Sequence, residues 1–234
     1  MKKRIYLLLL SVTVIFFSCK DKNDKFAEQL YTDIEISKAL RLCIDSAALY
    51  TIDALYDKEL GYSYSDSLSR LNLPETAKNV KDTLLIHGFE TRINSFNDSL
   101  NIAAGRCGEF LIRSFWRATI DSIKFPVPNA ILRGGENAIT NFVKQNYQTD
   151  FVSVLVNNLL AVQLNTFVIG EWNNLQNEYR LITGNYSSID ILTPTAQKMV
   201  ADFFMKMALR EADIRKDPAL RGSPNGLLYR VFDF

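Results

Sequence analysis

Ile36, Leu40, Cys43, Ala47, Thr51 and Ala54 follow one another at intervals of four, three, four, four and three. That rhythm places all six on one side of an α-helix and on alternating sides of a strand. Thr32 followed by Glu35 supplies a capping box at its start, each side chain satisfying a backbone N–H of the other. The spacing therefore predicts a first helix over residues 33–57.

The same period governs most of the remaining chain. Pro74 and Glu75 open a second helix with Ala77, Val80, Leu84 and Leu85 on its buried side, ended by Gly88. A third carries Ile93, Phe96, Leu100, Ala103 and Ala104, and a fourth Phe110, Leu111, Ser114 and Phe115. Pro126, Pro128 and the pair Gly134-Gly135 punctuate the chain before a short helix marked by Ala138, Phe142 and Val143. A long apolar helix from Val154 to Phe167 comes next, then one bearing Trp172, Leu175, Tyr179 and Ile182 up to Gly184. Thr193-Pro194 reads as a cap and first-position proline for a last long helix with Val200, Phe203, Phe204, Met207 and Glu211, stopped at Asp217-Pro218. Ser223-Pro224 repeats the start signal for a short helix bearing Leu228 and Phe232. The β-branched stretches 151–156 and 189–192 are the best strand candidates, but the first continues at helical length. No repeat of 20 to 50 residues and no glycine-serine linker divides the chain, so an all-α, bundle-like single domain over 32–234 is expected.

The first thirty residues read differently. Lys2, Lys3 and Arg4 precede an apolar run from Ile5 to Phe17, about 20 Å of helix against a bilayer core of about 30 Å. This is the pattern of an export signal over residues 1–18. Phe16-Phe17-Ser18-Cys19 resembles the lipobox of bacterial lipoproteins, with Phe16 where that pattern usually has leucine. The resemblance implies that Cys19 is lipidated and becomes the first mature residue, with residues 19–31 as a tether. Lys20 after the cysteine does not match the inner-membrane retention signal of enteric bacteria, so an outer-membrane location in the cell envelope is expected. An ordinary cleaved signal and an uncleaved anchor are the alternatives.

Composition limits the chemistry. Of 27 basic residues three lie in the leader, leaving 24 against 26 acidic ones, so the formal charge moves from +1 to −2. That weighs against nucleic-acid binding through phosphate neutralisation and against electrostatic adhesion to anionic lipid. A single histidine, His87, sits where a helix ends and suits the dipole there. No Gly-x-Ser-x-Gly elbow is present, and one histidine with two mature cysteines makes no metal site. No cofactor is implied.

Gly134-Gly135 before a helix, with Arg133 beside it, could present N–H groups to an anion, or could simply permit a tight turn. Glu136, Glu211, Arg215 and Asp217 could gather as a charged cluster, with Glu211 and Arg215 at the favourable i,i+4 spacing. Cys43 and Cys107 could bridge in an oxidising compartment, or Cys43 could be a buried free thiol.

Five pieces in order carry a wider resemblance: Leu73-Pro74-Glu75; residues 99–104, Ser-Leu-Asn-Ile-Ala-Ala; Ala118-Thr119-Ile120-Asp121; residues 131–142 from Ile-Leu-Arg-Gly-Gly to Phe142; and a C-terminal stretch with Glu211, Ile214-Arg215, Asp217-Pro218 and residues 227–232. Together they resemble the domain-of-unknown-function 4197 family of bacterial envelope proteins. Gly105 stands where that family usually has glutamate, and Phe125-Pro126-Val127-Pro128 is an insertion. The resemblance implies a helical envelope protein and no particular activity. Two functions remain in view: a tethered domain that binds a partner, lipid or small ligand without catalysis, and an enzyme using Arg133, Glu136, Glu211 and Arg215 around the Gly-Gly turn.

Overall fold

In the computed structural model, residues 31–57, 61–62, 69–165, 168–186 and 188–233 are described, save the side chains of 107–111 and 160–165. The expected leader, Cys19 and the tether up to Leu30 lie outside them. Among the described residues every regular element is helical.

Helix α1 spans Asp33–Tyr56 with Thr32 as N-cap and the complete Thr32–Glu35 capping box. The Thr32 backbone N–H donates to the Glu35 carboxylate at 2.9 Å, which holds that carboxyl below its usual range. Of the six periodic residues Ile36, Leu40, Cys43, Ala47 and Thr51 are buried and Ala54 is half-buried. Pro74 and Glu75 begin not the helix itself but a 3-10 turn, Glu75–Ala77, that leads into α2, Lys78–Ile86. Gly88, at φ +83°, takes the left-handed conformation just past the end of α2.

The expected third and fourth helices are one, α3, Glu90–Ile120. Gly105 and Gly108 lie within it, each costing about 1 kcal/mol against alanine in a helix. Packing on both halves overrides that cost. The C-terminal half is held to α1 by Arg113–Asp53, by Trp116 Nε1 donating to Asp45 at 2.8 Å, and by Arg41 donating to the Ile123 carbonyl just beyond the helix. These pairs run in opposite chain order, so the two helices are antiparallel. The N-terminal half meets α6, Val168–Thr183, through Phe96 on Trp172 and through Arg92 paired with Glu171 and Glu178.

Helix α4 is Pro128–Leu132. The short and long helices expected after it are also continuous, as α5, Ala138–Asn165. Helix α7, Leu192–Lys216, begins two residues earlier than Thr193-Pro194 suggests. Its N-cap position is Ile191, and the preceding Asp190 serves its first N–H groups, Oδ1 accepting those of Leu192 and Thr193 at 2.8 and 3.2 Å. Asp217-Pro218 ends α7 and also starts a 3-10 turn, Pro218–Arg221, with the Asp217 carboxylate accepting the Ala219 N–H. The last helix, α8, is Leu227–Val231, capped by Gly226 rather than Ser223.

Helices α1, α3, α5 and α7 form a ring in which each packs on two others, α1 and α5 each touching α3 and α7. Its centre is aromatic: Trp116, Phe151, Phe203 and Phe204 are buried, with ring centroids 5.4 to 6.3 Å apart. Tilted and edge-on contacts of this kind add about 0.5–1.5 kcal/mol each beyond area burial. Helices α2 and α6 pack on each other and on the N-terminal half of α3, while α4 and α8 lie on α1.

Candidate functional site

The turn between α4 and α5 is where two of the charged candidates, Glu211 and Arg215, meet. Gly134 permits it sterically, because a Cβ there would stand 2.7 Å from Ala138 Cβ, whereas one on Gly135 would meet nothing within 4 Å. The turn leaves two sets of backbone groups without intrahelical partners: the last carbonyls of α4 and the first N–H groups of α5. No acid stands in the first turn of α5, and Asn137, just before it, has its side chain against that of Asn141.

Helix α7 supplies what the local sequence lacks. Glu211, with no solvent exposure, accepts the N–H of Ile139 on Oε1 at 3.0 Å and that of Thr140 on Oε2 at 2.7 Å. Its negative charge thereby sits at the positive end of a helix of 28 residues. Arg215 donates from Nε to Glu211 at 2.8 Å, and from Nη1 and Nη2 to the carbonyls of Leu132 and Ile131 at 2.7 and 3.3 Å. One i,i+4 pair thus caps both helices of the turn. Arg215 also lies over the Phe232 ring, 5.2 Å from its centroid. Arg221 repeats the device one step on, donating to the Ile214 and Arg215 carbonyls at the end of α7.

The other candidates stand apart from this junction. Glu136 is exposed and pairs with exposed Lys216 at 2.9 Å. Arg133 is exposed and donates to the Asn129 side chain. Asp217 caps the turn after α7. His87 lies at the end of α2, its Nδ1 2.8 Å from the Thr83 carbonyl. The Glu211 carboxylate, sealed from water and engaged by three donors, acts as a helix cap.

Cys43 faces the same junction as a free, buried thiol. Burial pushes its pKa far above the usual thiol range; nearby Glu211 adds to this while Arg215 and Arg221 oppose it. The side chain of Cys107, its expected partner in a bridge, lies outside the described residues. Among the described residues no cluster of His, Cys, Asp and Glu could hold a metal ion, and no helix is long and apolar enough to cross a membrane.

A second polar junction escaped the sequence reading. Buried Asn101 accepts the Leu71 N–H on Oδ1 at 2.8 Å, and its Nδ2 donates to the carbonyls of Leu71 at 2.8 Å and Asn97 at 2.7 Å. Buried Asn97 accepts the Leu73 N–H at 3.2 Å. The two amides clamp the irregular segment 71–73 before Pro74 as a neighbouring strand would. Two asparagines at i,i+4 among the apolar positions of α3 were the available signal.

Two of the five sequence pieces, the C-terminal stretch and residues 131–142, are therefore joined directly by the Glu211–Arg215 junction. Comparison with curated proteins and with solved structures yields no match. The family model described as "Protein of unknown function (DUF4197)" matches residues 30–233. Across almost the whole of its described length, the chain belongs to the DUF4197 family.

Proposed function

We propose that this chain is a lipoprotein of the cell envelope, held in the outer membrane by an acylated Cys19, whose helical domain works by binding a partner, lipid or small ligand and not by catalysis. The observation behind the second half is the closure of the Glu211–Arg215 pair on the backbone of α4 and α5. The enzyme alternative needed Arg133, Glu136, Glu211 and Arg215 around one accessible space. Two of them are consumed as helix caps, while Arg133 and Glu136 are exposed on the surface. Support for the anchor comes from the Phe16–Cys19 segment and the basic and apolar residues before it. Several acyl chains, at about 0.8 kcal/mol per buried CH2, suffice to hold such a domain on a membrane.

Cys19→Ser should move the chain from the membrane to the soluble envelope fraction. Unchanged membrane fractionation would sink the lipid anchor. Purification of the native protein from the envelope, with mass spectrometry of bound lipids and proteins, tests the binding role; recovery with nothing bound argues against it.

A further inference from the structure

The outward side of α7 is apolar where a solvent-facing helix is ordinarily polar. Ala201, Met205 and Leu209 follow at intervals of four, with Met205 55% and Leu209 64% exposed. Helix α1, packed against α7, adds Tyr50, 54% exposed. Arg210 lies across Tyr50, its guanidinium 4.1 Å from the ring centroid, and its Nε is buried without an acceptor.

The charges of this face are uncompensated. Neither Arg210 nor Lys206, one turn before it, has an ion pair with a described residue, although like charges at i,i+4 repel. Arg70, Arg92 and Arg113, outside α7, are taken by carboxylates, whereas this face sets two unpaired cations one turn apart beside exposed apolar side chains. The acids nearest along α7 are Asp202, taken by Lys198, and exposed Asp213 one turn beyond Arg210. On α1, Asp53 is taken by Arg113. A planar guanidinium backed by an aromatic ring keeps its remaining N–H groups directed outward in a fork that fits a phosphate.

We propose that this α1–α7 face docks on an anionic phospholipid surface, Arg210 and Lys206 taking headgroup phosphates while Tyr50, Met205 and Leu209 enter the headgroup–acyl boundary. The proposal rests on the anchor reading: residues 19–30, fully extended, reach about 40 Å and keep the domain beside the bilayer. A mature charge of −2 gives no long-range attraction, so the tether delivers the face and local contacts hold it.

The test uses the mature chain from residue 19 with Cys19→Ser, so that no acyl chain contributes, sedimented with vesicles of phosphatidylcholine alone or mixed with phosphatidylglycerol. Preferential binding to the anionic vesicles is expected. Lys206→Gln with Arg210→Gln should weaken it roughly thirtyfold and abolish the preference, since each basic residue near such a surface contributes about 1 kcal/mol. Leu209→Ser alone should weaken binding while leaving the thermal melt unchanged. Absence of binding to anionic vesicles, equal binding to both kinds, or an undiminished preference in the double variant overturns the inference. The mass of the native N-terminus reports separately on lipidation: an acylated chain that shows no vesicle preference without its acyl groups keeps the anchor and loses the docking face.

Discussion

The two buried polar junctions solve the same problem with different chemistry. In each, side chains from a long helix satisfy backbone groups of a neighbouring segment that the segment cannot satisfy itself. At the Asn97–Asn101 clamp the groups are neutral amides, and the segment held is an irregular stretch. At the Glu211–Arg215 junction they are charged, and the groups held are two helix ends. A neutral amide costs little to bury once hydrogen-bonded, whereas a charge leaves a large penalty when either partner is removed. The clamp is a local fastening. The junction sets the angle at which three helices meet.

The largest effect that could break this contrast is Glu211→Ala. It leaves Arg215 buried as an unpaired charge and strands the N–H groups of Ile139 and Thr140, for a loss of about 3–5 kcal/mol. The melting temperature should fall by about 10 °C for a domain of this size. A double-mutant cycle with Arg215→Met should show strong coupling, and additive losses would mean that the pair does not act as one unit.

Next comes Asn101→Ala, with a loss of about 2–3 kcal/mol from unsatisfied Leu71 groups. Hydrogen exchange should quicken at Leu71 and Leu73 while Ile139 and Thr140 keep their protection. Equal loss at both places would erase the distinction between local and global fastening.

The glycine pair sharpens the comparison further. Gly134→Ala meets Ala138 Cβ at 2.7 Å and should cost about 1–3 kcal/mol, while Gly135→Ala should leave the melt within about 0.5 kcal/mol of the parent. Similar losses at both would show that flexibility, not room, is what the turn requires.

The smallest effect concerns a cap made within the local sequence. Burial raises the Asp190 carboxyl, but hydrogen bonds from the Thr193 side chain and from the Thr193 and Leu192 N–H groups outweigh it, and its pKa is lowered. A depressed folded pKa contributes stability above the unfolded value and loses it as pH falls through the folded one. Asp190→Ala should therefore cost about 1 kcal/mol near neutrality. The gap from the parent should close in strong acid, as shown by melts across that range; a gap independent of pH would mean that the carboxylate charge is idle.

Range in the chain decided which features were legible in the sequence. Local signals succeeded: the Thr32–Glu35 box, the left-handed Gly88 and Gly184, and the stop at Asp217-Pro218 all act within a few residues. Gly105 and Gly108 do not break α3 because their cost is local and small, while the contacts that outweigh it come from α1 and α6, far away in the chain. The same limit hid the cap of α5, whose partner lies 72 residues beyond Ile139. Glu211 was nevertheless visible as an acid on an apolar helical face, four residues before an arginine. Its surroundings could not be, since i,i+4 spacing looks the same for an exposed pair worth tenths of a kcal/mol as for a buried one.

Tyr31, at the start of the domain, donates its hydroxyl to the carbonyl of Arg230 near the end, 199 residues later, at 3.2 Å. With α1 also packed against α7 and α8, the first helix has its main neighbours among the last segments to be made. Contacts so distant in sequence form slowly, because a long loop must close before they reward it. A growing chain would carry the side of α1 that meets α7 and α8 uncovered until those C-terminal segments were made. The order in which the sequence is written thus disfavours folding of an incomplete chain.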